Sequence, residues 1–161
     1  MLYQTTTQSP VGELTLFASD VGLRAILWDN GRADRIAIGE TVNERDPAGV
    51  LVAAVSQLAE YFAGTRQEFD LPLDPVGTEF QQLAWAALRI IPYGETISYG
   101  EQARRLGDQR KARAVGAANG RNPLSIVVPC HRVVGANGAL VGFGGGVANK
   151  AWLLDHERFA G

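Results

Sequence analysis

The chain has 161 residues, 46% of them apolar, enough for one ordinary domain or two small ones around a packed core. No apolar run approaches the ~20 residues of a membrane span, and the N-terminus lacks the charged-then-apolar pattern of a signal peptide, so a soluble, cytoplasmic protein is expected. One cysteine, Cys130, excludes an intrachain disulfide, and with His131 and His156 as the only histidines no structural zinc site and no metal are expected.

The formal charge of −2 hides an asymmetry. Residues 1–75 carry five Arg against eleven Asp/Glu, and residues 76–161 carry ten Lys/Arg against six Asp/Glu. Between 104 and 132, Arg104, Arg105, Arg110, Lys111, Arg113, Arg121 and Arg132 face a single acid, Asp108. Such a patch suits a surface that meets phosphates, although a solvated basic face without a partner fits the charge equally well.

In chain order, residues 2–7 and 13–18 read as strands joined by the turn-rich Ser9, Pro10, Val11 and Gly12, and residues 22–29 as a third. Residues 31–47 are polar and unassigned. Leu51, Ala54, Val55, Leu58, Tyr61 and Phe62 follow helical spacing over 48–63, with Gly64 as the stop. Residues 68–71 suggest a further strand, and 71–77, with two prolines and a glycine, a linker. Thr78 and Gln81 form a capping box opening a helix whose stripe is Phe80, Leu83, Ala84, Ala87 and Ile91, ended by Pro92. Ser98 and Glu101 form a second box on a short helix to about Gly107, and residues 110–120 a third helix. The last two suggest a helix-turn-helix. Residues 124–128 look like a strand halted at Pro129. Residues 133–134 and 140–141 flank Asn137 and Gly138 as a hairpin, or wing; 143–146 reads as a mobile loop, and 149–159 as a closing helix with Trp152 and Leu153 as core contacts. The expected fold class is α+β. Residues 1–75 form a small antiparallel-sheet domain with a helix, and 76–161 a helical domain with a winged helix-turn-helix.

Chemistry concentrates at Cys130, His131 and Arg132. An imidazole and positive charge beside a thiol lower its pKa and supply a base. Neighbouring side chains of a strand point to opposite faces, so Cys130 and His131 cooperate only if Pro129 ends the strand or a water bridges them. A buried, inert cysteine is the alternative.

The segment from Pro129 to Val133 resembles the active-site motif of the O6-alkylguanine-DNA alkyltransferases, the methylated-DNA–protein-cysteine methyltransferases. The match runs in one register through Phe80 and Gln81, residues 91–96, Ser98 and Tyr99, residues 113–116, Asn122 and Pro123, residues 126–134, Gly144 and Gly145, Lys150, and Leu153, Leu154 and Glu157.

The resemblance implies a ribonuclease H-like fold for residues 1–75. It implies repair by irreversible transfer of an alkyl group from O6-alkylguanine in DNA to Cys130, once per chain, with O4-alkylthymine left open. The damaged nucleotide would be flipped out of a duplex held through its minor groove. His131 would be the base toward Cys130 through a water, oriented by Glu157. Tyr99 would rotate the nucleotide and protonate the leaving guanine. Asn122 would tie the recognition helix to the segment before Cys130, and Arg113 would fill the gap left by the flipped base. Ala112, Ala114, Arg121, Val133 and Gly144 complete the implied DNA and substrate contacts. No cofactor is implied, and the protein would be a monomer, with cooperativity on DNA left open. His156, turned about 100° from Glu157, reads as surface. Phe143 stands where many relatives have tyrosine, Gly144 where some have serine, and Asn119 where some have a larger apolar residue against the base. The competing readings are a lesion-binding relative without the cysteine, a transcriptional regulator and a thiol hydrolase.

Overall fold

The computed structural model describes residues 2–29, 41–42, 49–140, 143 and 145–160. Strands β1 (Leu2–Thr7), β2 (Leu14–Ala18) and β3 (Leu23–Trp28) form an antiparallel meander. Its first turn closes where Gly12 N donates to Ser9 O at 3.0 Å. A two-residue strand, β4 (Thr41–Val42), joins β1 in parallel, giving the order β3-β2-β1-β4. It lies in the stretch unassigned from sequence, where two residues are too few to show a period; the rest of 31–47 lies outside the described residues. Helix α1 (Val50–Phe62) buries Leu51, Ala54, Leu58 and Tyr61, one face of a 3.6-residue period. It stops at Gly64, whose φ of 82° suits a residue without Cβ.

The strand expected at 68–71 is absent. Pairing comes slightly later, where Leu73 bridges Leu23 in parallel. The outer edge of β3 is closed from two directions. Leu23 N donates to Pro72 O and Asp74 N to Leu23 O, both at 2.8 Å, and Ile26 N donates to Pro123 O at 2.8 Å.

Thr78 caps α2 (Glu79–Leu88) with both halves of its box in place. The helix is rotated from the expected stripe: Ala84, Trp85 and Leu88 are buried, and Leu83 is 55% exposed. Trp85 Nε1 donates to Ala118 O at 2.8 Å, and this buried hydrogen bond selects the face turned inward. After β5 (Ile97–Ser98), α3 (Tyr99–Arg105) starts with only half of its expected box. Ser98 accepts from Glu101 N, but the Glu101 carboxylate holds Arg104 and Arg105 instead, at 2.7 and 2.9 Å. A 3-10 turn (Gln109–Lys111) leads into α4 (Ala112–Gly120), completing the helix-turn-helix.

The run at 124–128 is not a strand. Leu124 bridges Ile26, and the chain then turns so that Val128 N donates to Leu124 O at 2.8 Å. Strand β6 (Val133–Val134) pairs in parallel with β5. The wing tip closes as a turn, Gly135 N donating to Ala139 O at 2.8 Å, and Val141 lies outside the described residues. The expected mobile loop is packed where it is described: a Cβ on Gly145 would lie 2.5 Å from the Trp28 ring and 2.7 Å from Phe143. Helix α5 (Val147–Ala160) closes the chain, with Leu153 buried and Trp152 half-buried. Core residues of the sheet, α1, α2, the 124–133 segment and α5 form one continuous cluster.

Candidate active site

Cys130 opens a single 3-10 turn (Cys130–Arg132) directly after Pro129. The approach is tightly folded. Ile126 has a φ of 76°, a left-handed conformation that costs a β-branched residue about 1–3 kcal/mol and persists only where its surroundings impose it. Pro129, at φ −82° and ψ 67°, makes an inverse γ-turn in which Cys130 N donates to Val128 O at 2.8 Å. The condition set by the sequence is met: Cys130 and His131 are not successive residues of a regular strand.

Asn122, between α4 and this segment, fixes the turn from both sides of its amide. Nδ2 donates to Val128 O at 2.8 Å, and Oδ1 accepts from Leu124 N at 3.0 Å. Burial pushes the Cys130 thiol above its ordinary range; hydrogen bonds from Asn122 and Ser125 and the charge of Lys150 pull the other way. Ser125 is held by Trp28, whose Nε1 donates to Ser125 Oγ at 3.1 Å. Tyr99 is half-buried at the start of α3, and burial, with the nearby Cys130, keeps its phenol protonated beyond the usual range. Gly116 of α4 lies under the Tyr99 ring.

His131 and Glu157 are both buried. His131 Nε2 lies 2.6 Å from Glu157 Oε2. Arg132, also buried, grips the same carboxylate through Nε at 2.8 Å and Nη2 at 3.0 Å, and its Nη1 donates to Ile91 O at 2.7 Å. Tyr61 Oη donates to Oε2 at 2.7 Å and Gly94 N to Oε1 at 3.2 Å. Burial disfavours the Glu157 anion, but His131 and Arg132 outweigh it and hold the carboxyl far below its ordinary range. An ionised Glu157 only accepts, so His131 carries its proton on Nε2. Burial lowers the His131 pKa despite Glu157, which leaves a neutral ring with a lone pair on Nδ1. Among the described residues, His131 Nδ1 is the one buried side-chain polar atom without a partner.

The structure thus brings Cys130, His131, Glu157, Asn122 and Tyr99 together, and corrects the expectations for Arg132 and His156. Arg132 is no part of the phosphate-facing patch. Val133 has a fully buried side chain, and its carbonyl accepts from the buried Lys150 Nζ at 2.7 Å. Asn119 is buried, and its amide pairs reciprocally with that of Gln102 at 2.8 and 3.1 Å, fastening α4 to α3. Phe143 is buried edge-on against Trp28, ring centroids 5.5 Å apart. His156 is half-buried rather than surface, stacked between Tyr61 and Trp152, with Nε2 2.7 Å from Tyr61 O. Gly144 lies outside the described residues. On α4, Arg113 and Ala114 are exposed and Ala112 is half-buried, with the exposed Arg121 beyond its end.

Sequence reasoning missed Tyr61 altogether, and missed the buried partners of Arg132 and Lys150, the Glu157 carboxylate and the Val133 carbonyl. Lys150 left a signal, since Lys150, Leu153 and Glu157 share one helical face by spacing. Arg132 also left one, as a charge inside an apolar run must be paired. Tyr61 continues the apolar stripe of α1 and is indistinguishable from an ordinary core aromatic.

Residues 2–75 match the family description "6-O-methylguanine DNA methyltransferase, ribonuclease-like domain", and residues 79–159 its "DNA binding domain". A methylated-DNA–protein-cysteine methyltransferase of Mycolicibacterium paratuberculosis is 50% identical over 158 residues, covering 98% of this chain and 93% of that protein. The constitutive Bacillus subtilis protein of that name is 44% identical over 163 residues, covering 99% and 98%. A crystal structure of Mycobacterium tuberculosis OGT in complex with DNA superposes with a TM-score of 0.89 at 45% identity, covering 98% of this chain and 94% of that one.

Proposed function

The chain belongs to the 6-O-methylguanine DNA methyltransferase family, and on that premise we propose how its residues divide the work. Its activity is DNA repair by direct transfer of an alkyl group from O6-alkylguanine to its own Cys130, one turnover per chain. At rest, thiol and imidazole are both neutral. When an extruded nucleotide presents its alkyl carbon, His131 Nδ1 takes the Cys130 proton through a bridging water. The imidazolium so formed is held by Glu157 through Nε2–H. The thiolate attacks the alkyl carbon in line, the carbon–O6 bond breaks, and Tyr99 gives its proton to the departing guanine. A thioether remains on Cys130, with no thiolate to begin again. The observation that carries this reading is His131 itself, buried, with Nε2 on an ionised carboxylate and Nδ1 unpartnered.

The protein binds DNA. The exposed face of α4 around Arg113 and Ala114, with Arg121, enters the minor groove. The small side chains of α4 permit close approach, and the Arg113 guanidinium stacks in the gap left by the nucleotide. Residues 76–161 form the DNA-binding and transfer domain, and residues 1–75 a ribonuclease-like domain packed behind it. The protein works as a monomer in the cytoplasm.

The test is a duplex oligonucleotide carrying radiolabelled O6-methylguanine. Label moves to protein up to about one methyl per chain and then stops, and Cys130→Ala binds the duplex without taking label. Multiple turnovers, or label left on DNA by the wild type, contradict the reading.

A further inference from the structure

A buried phenol needs one partner for its hydroxyl. Tyr61, on α1 in the N-terminal part, lies 96 residues from Glu157 in sequence, yet its Oη donates to Glu157 Oε2 at 2.7 Å, the oxygen that holds His131 Nε2 at 2.6 Å. Arg132 Nη2 also reaches Oε2, at 3.0 Å, while Arg132 Nε and Gly94 N occupy Oε1. Tyr61 is itself immobilised. Its carbonyl lies 2.7 Å from His156 Nε2, its ring stacks on that imidazole, and Phe62, Phe69 and Tyr93 pack around it. The hydroxyl is therefore presented to one carboxylate oxygen by elements from both halves of the chain.

We propose that Tyr61 is a positioning residue of the alkyl-transfer site, which sets the proton affinity of His131 by sharing the Glu157 oxygen that orients it. The inference rests on the role of His131 as base. Every donor on Oε2 withdraws negative charge from the atom facing Nε2 and weakens its hold on an imidazolium. Tyr61 stays protonated throughout, because burial and the neighbouring Glu157 drive its pKa far upward. The charged and titratable groups around the pair are Glu157 and Lys150 from α5, Arg132 and Cys130 from the 3-10 turn, Tyr93 before β5, and His156 behind Tyr61. Beside His131 itself, Tyr61 is the neutral donor on Oε2, so its hydroxyl can be removed without changing the charge of the cluster.

Tyr61→Phe keeps the ring and deletes the donor. Glu157 then holds the imidazolium more firmly, His131 protonates at higher pH, and the base is lost earlier on acidification. The full-length protein and an O6-methylguanine duplex give single-turnover rates against pH. The acid limb of Tyr61→Phe is expected to lie about half a pH unit or more above wild type, about threefold in proton affinity. Stoichiometry and DNA affinity stay unchanged. An acid limb that does not move overturns the proposal. Glu157→Gln separates this from failure of the underlying reading: if that variant transfers at the wild-type rate, the His131–Glu157 base is wrong. If it is slow while the acid limb of Tyr61→Phe stays in place, only the role of Tyr61 fails. Should Tyr61→Phe not fold, NMR of the wild type decides. A slowly exchanging Tyr61 hydroxyl proton with a through-space contact to the His131 ring is expected, and fast exchange with water overturns the proposal.

Discussion

Replacing Glu157 by Gln removes one buried charge with little change of volume. Glu157 accepts from His131, twice from Arg132, from Tyr61 and from Gly94, at 2.6 to 3.2 Å. A glutamine amide accepts through one oxygen only, and its NH2 faces groups that are themselves donors. Arg132 then stays buried with Ile91 O and at most one amide oxygen as acceptors, and no counter-charge. Breaking a buried ion pair from one side costs about 3–5 kcal/mol, against a total stability of about 5–15 kcal/mol for a domain. At about 2–4 °C per kcal/mol for a chain of this size, the melting point at neutral pH falls by about 6–20 °C. Acid supplies a second reading. The Glu157 pKa is depressed in the folded state, so its contribution is fully present above the unfolded carboxylate value of about 4.3 and is lost as pH falls toward the folded one. The gap between wild type and Glu157→Gln therefore narrows below about pH 4. Calorimetric melting of both proteins between neutral and acid pH, with the free thiol verified, measures both effects. A variant melting within about 2 °C of wild type at pH 7 would refute the claim that Glu157 anchors a buried charge cluster.

Three further outcomes are expected. Because burial raises the Cys130 thiol, its alkylation by iodoacetamide keeps accelerating above the ordinary thiol value of about 8.5; a half-point at or below that value contradicts the buried neutral thiol. Gly145→Ala places a Cβ 2.5 Å from Trp28, an overpacking of about 1–3 kcal/mol that lowers the melting point, and an unchanged melting curve would show that the ring is not fixed there. Arg113→Ala slows transfer from duplex O6-methylguanine, reduces the slope of log affinity on log salt by about one, and leaves reaction with iodoacetamide intact; loss of all thiol reactivity would place Arg113 in the site rather than at the DNA.

Local signals read well where a single element decides the outcome. The β1–β3 meander, α1 with its stop at Gly64, and the Thr78 cap stand as the sequence implies. Failures occur where a distant partner overrides a local preference. The apolar run at 124–128 has strand composition, but Asn122 holds both Leu124 N and Val128 O and folds it into turns. The half-formed box at Ser98 loses its second bond to Arg104 and Arg105, which compete for the same carboxylate. At the site, Cys130, His131 and Glu157 come from a matched motif, whereas Tyr61 arrives from the other half of the chain. No spacing rule links residues 96 positions apart.

The doubly occupied edge of β3 has a consequence for solubility and for dissection of the chain. An exposed strand edge is a template on which another chain can pair. Here Pro72 and Asp74 cover one end of it, and Pro123, just after α4, covers the middle. Severing the chain near residue 75 would strip the Pro123 carbonyl from Ile26 and leave the apolar Leu23–Trp28 strand open to self-pairing. The same bond that joins the two halves in one molecule also shields part of this strand edge.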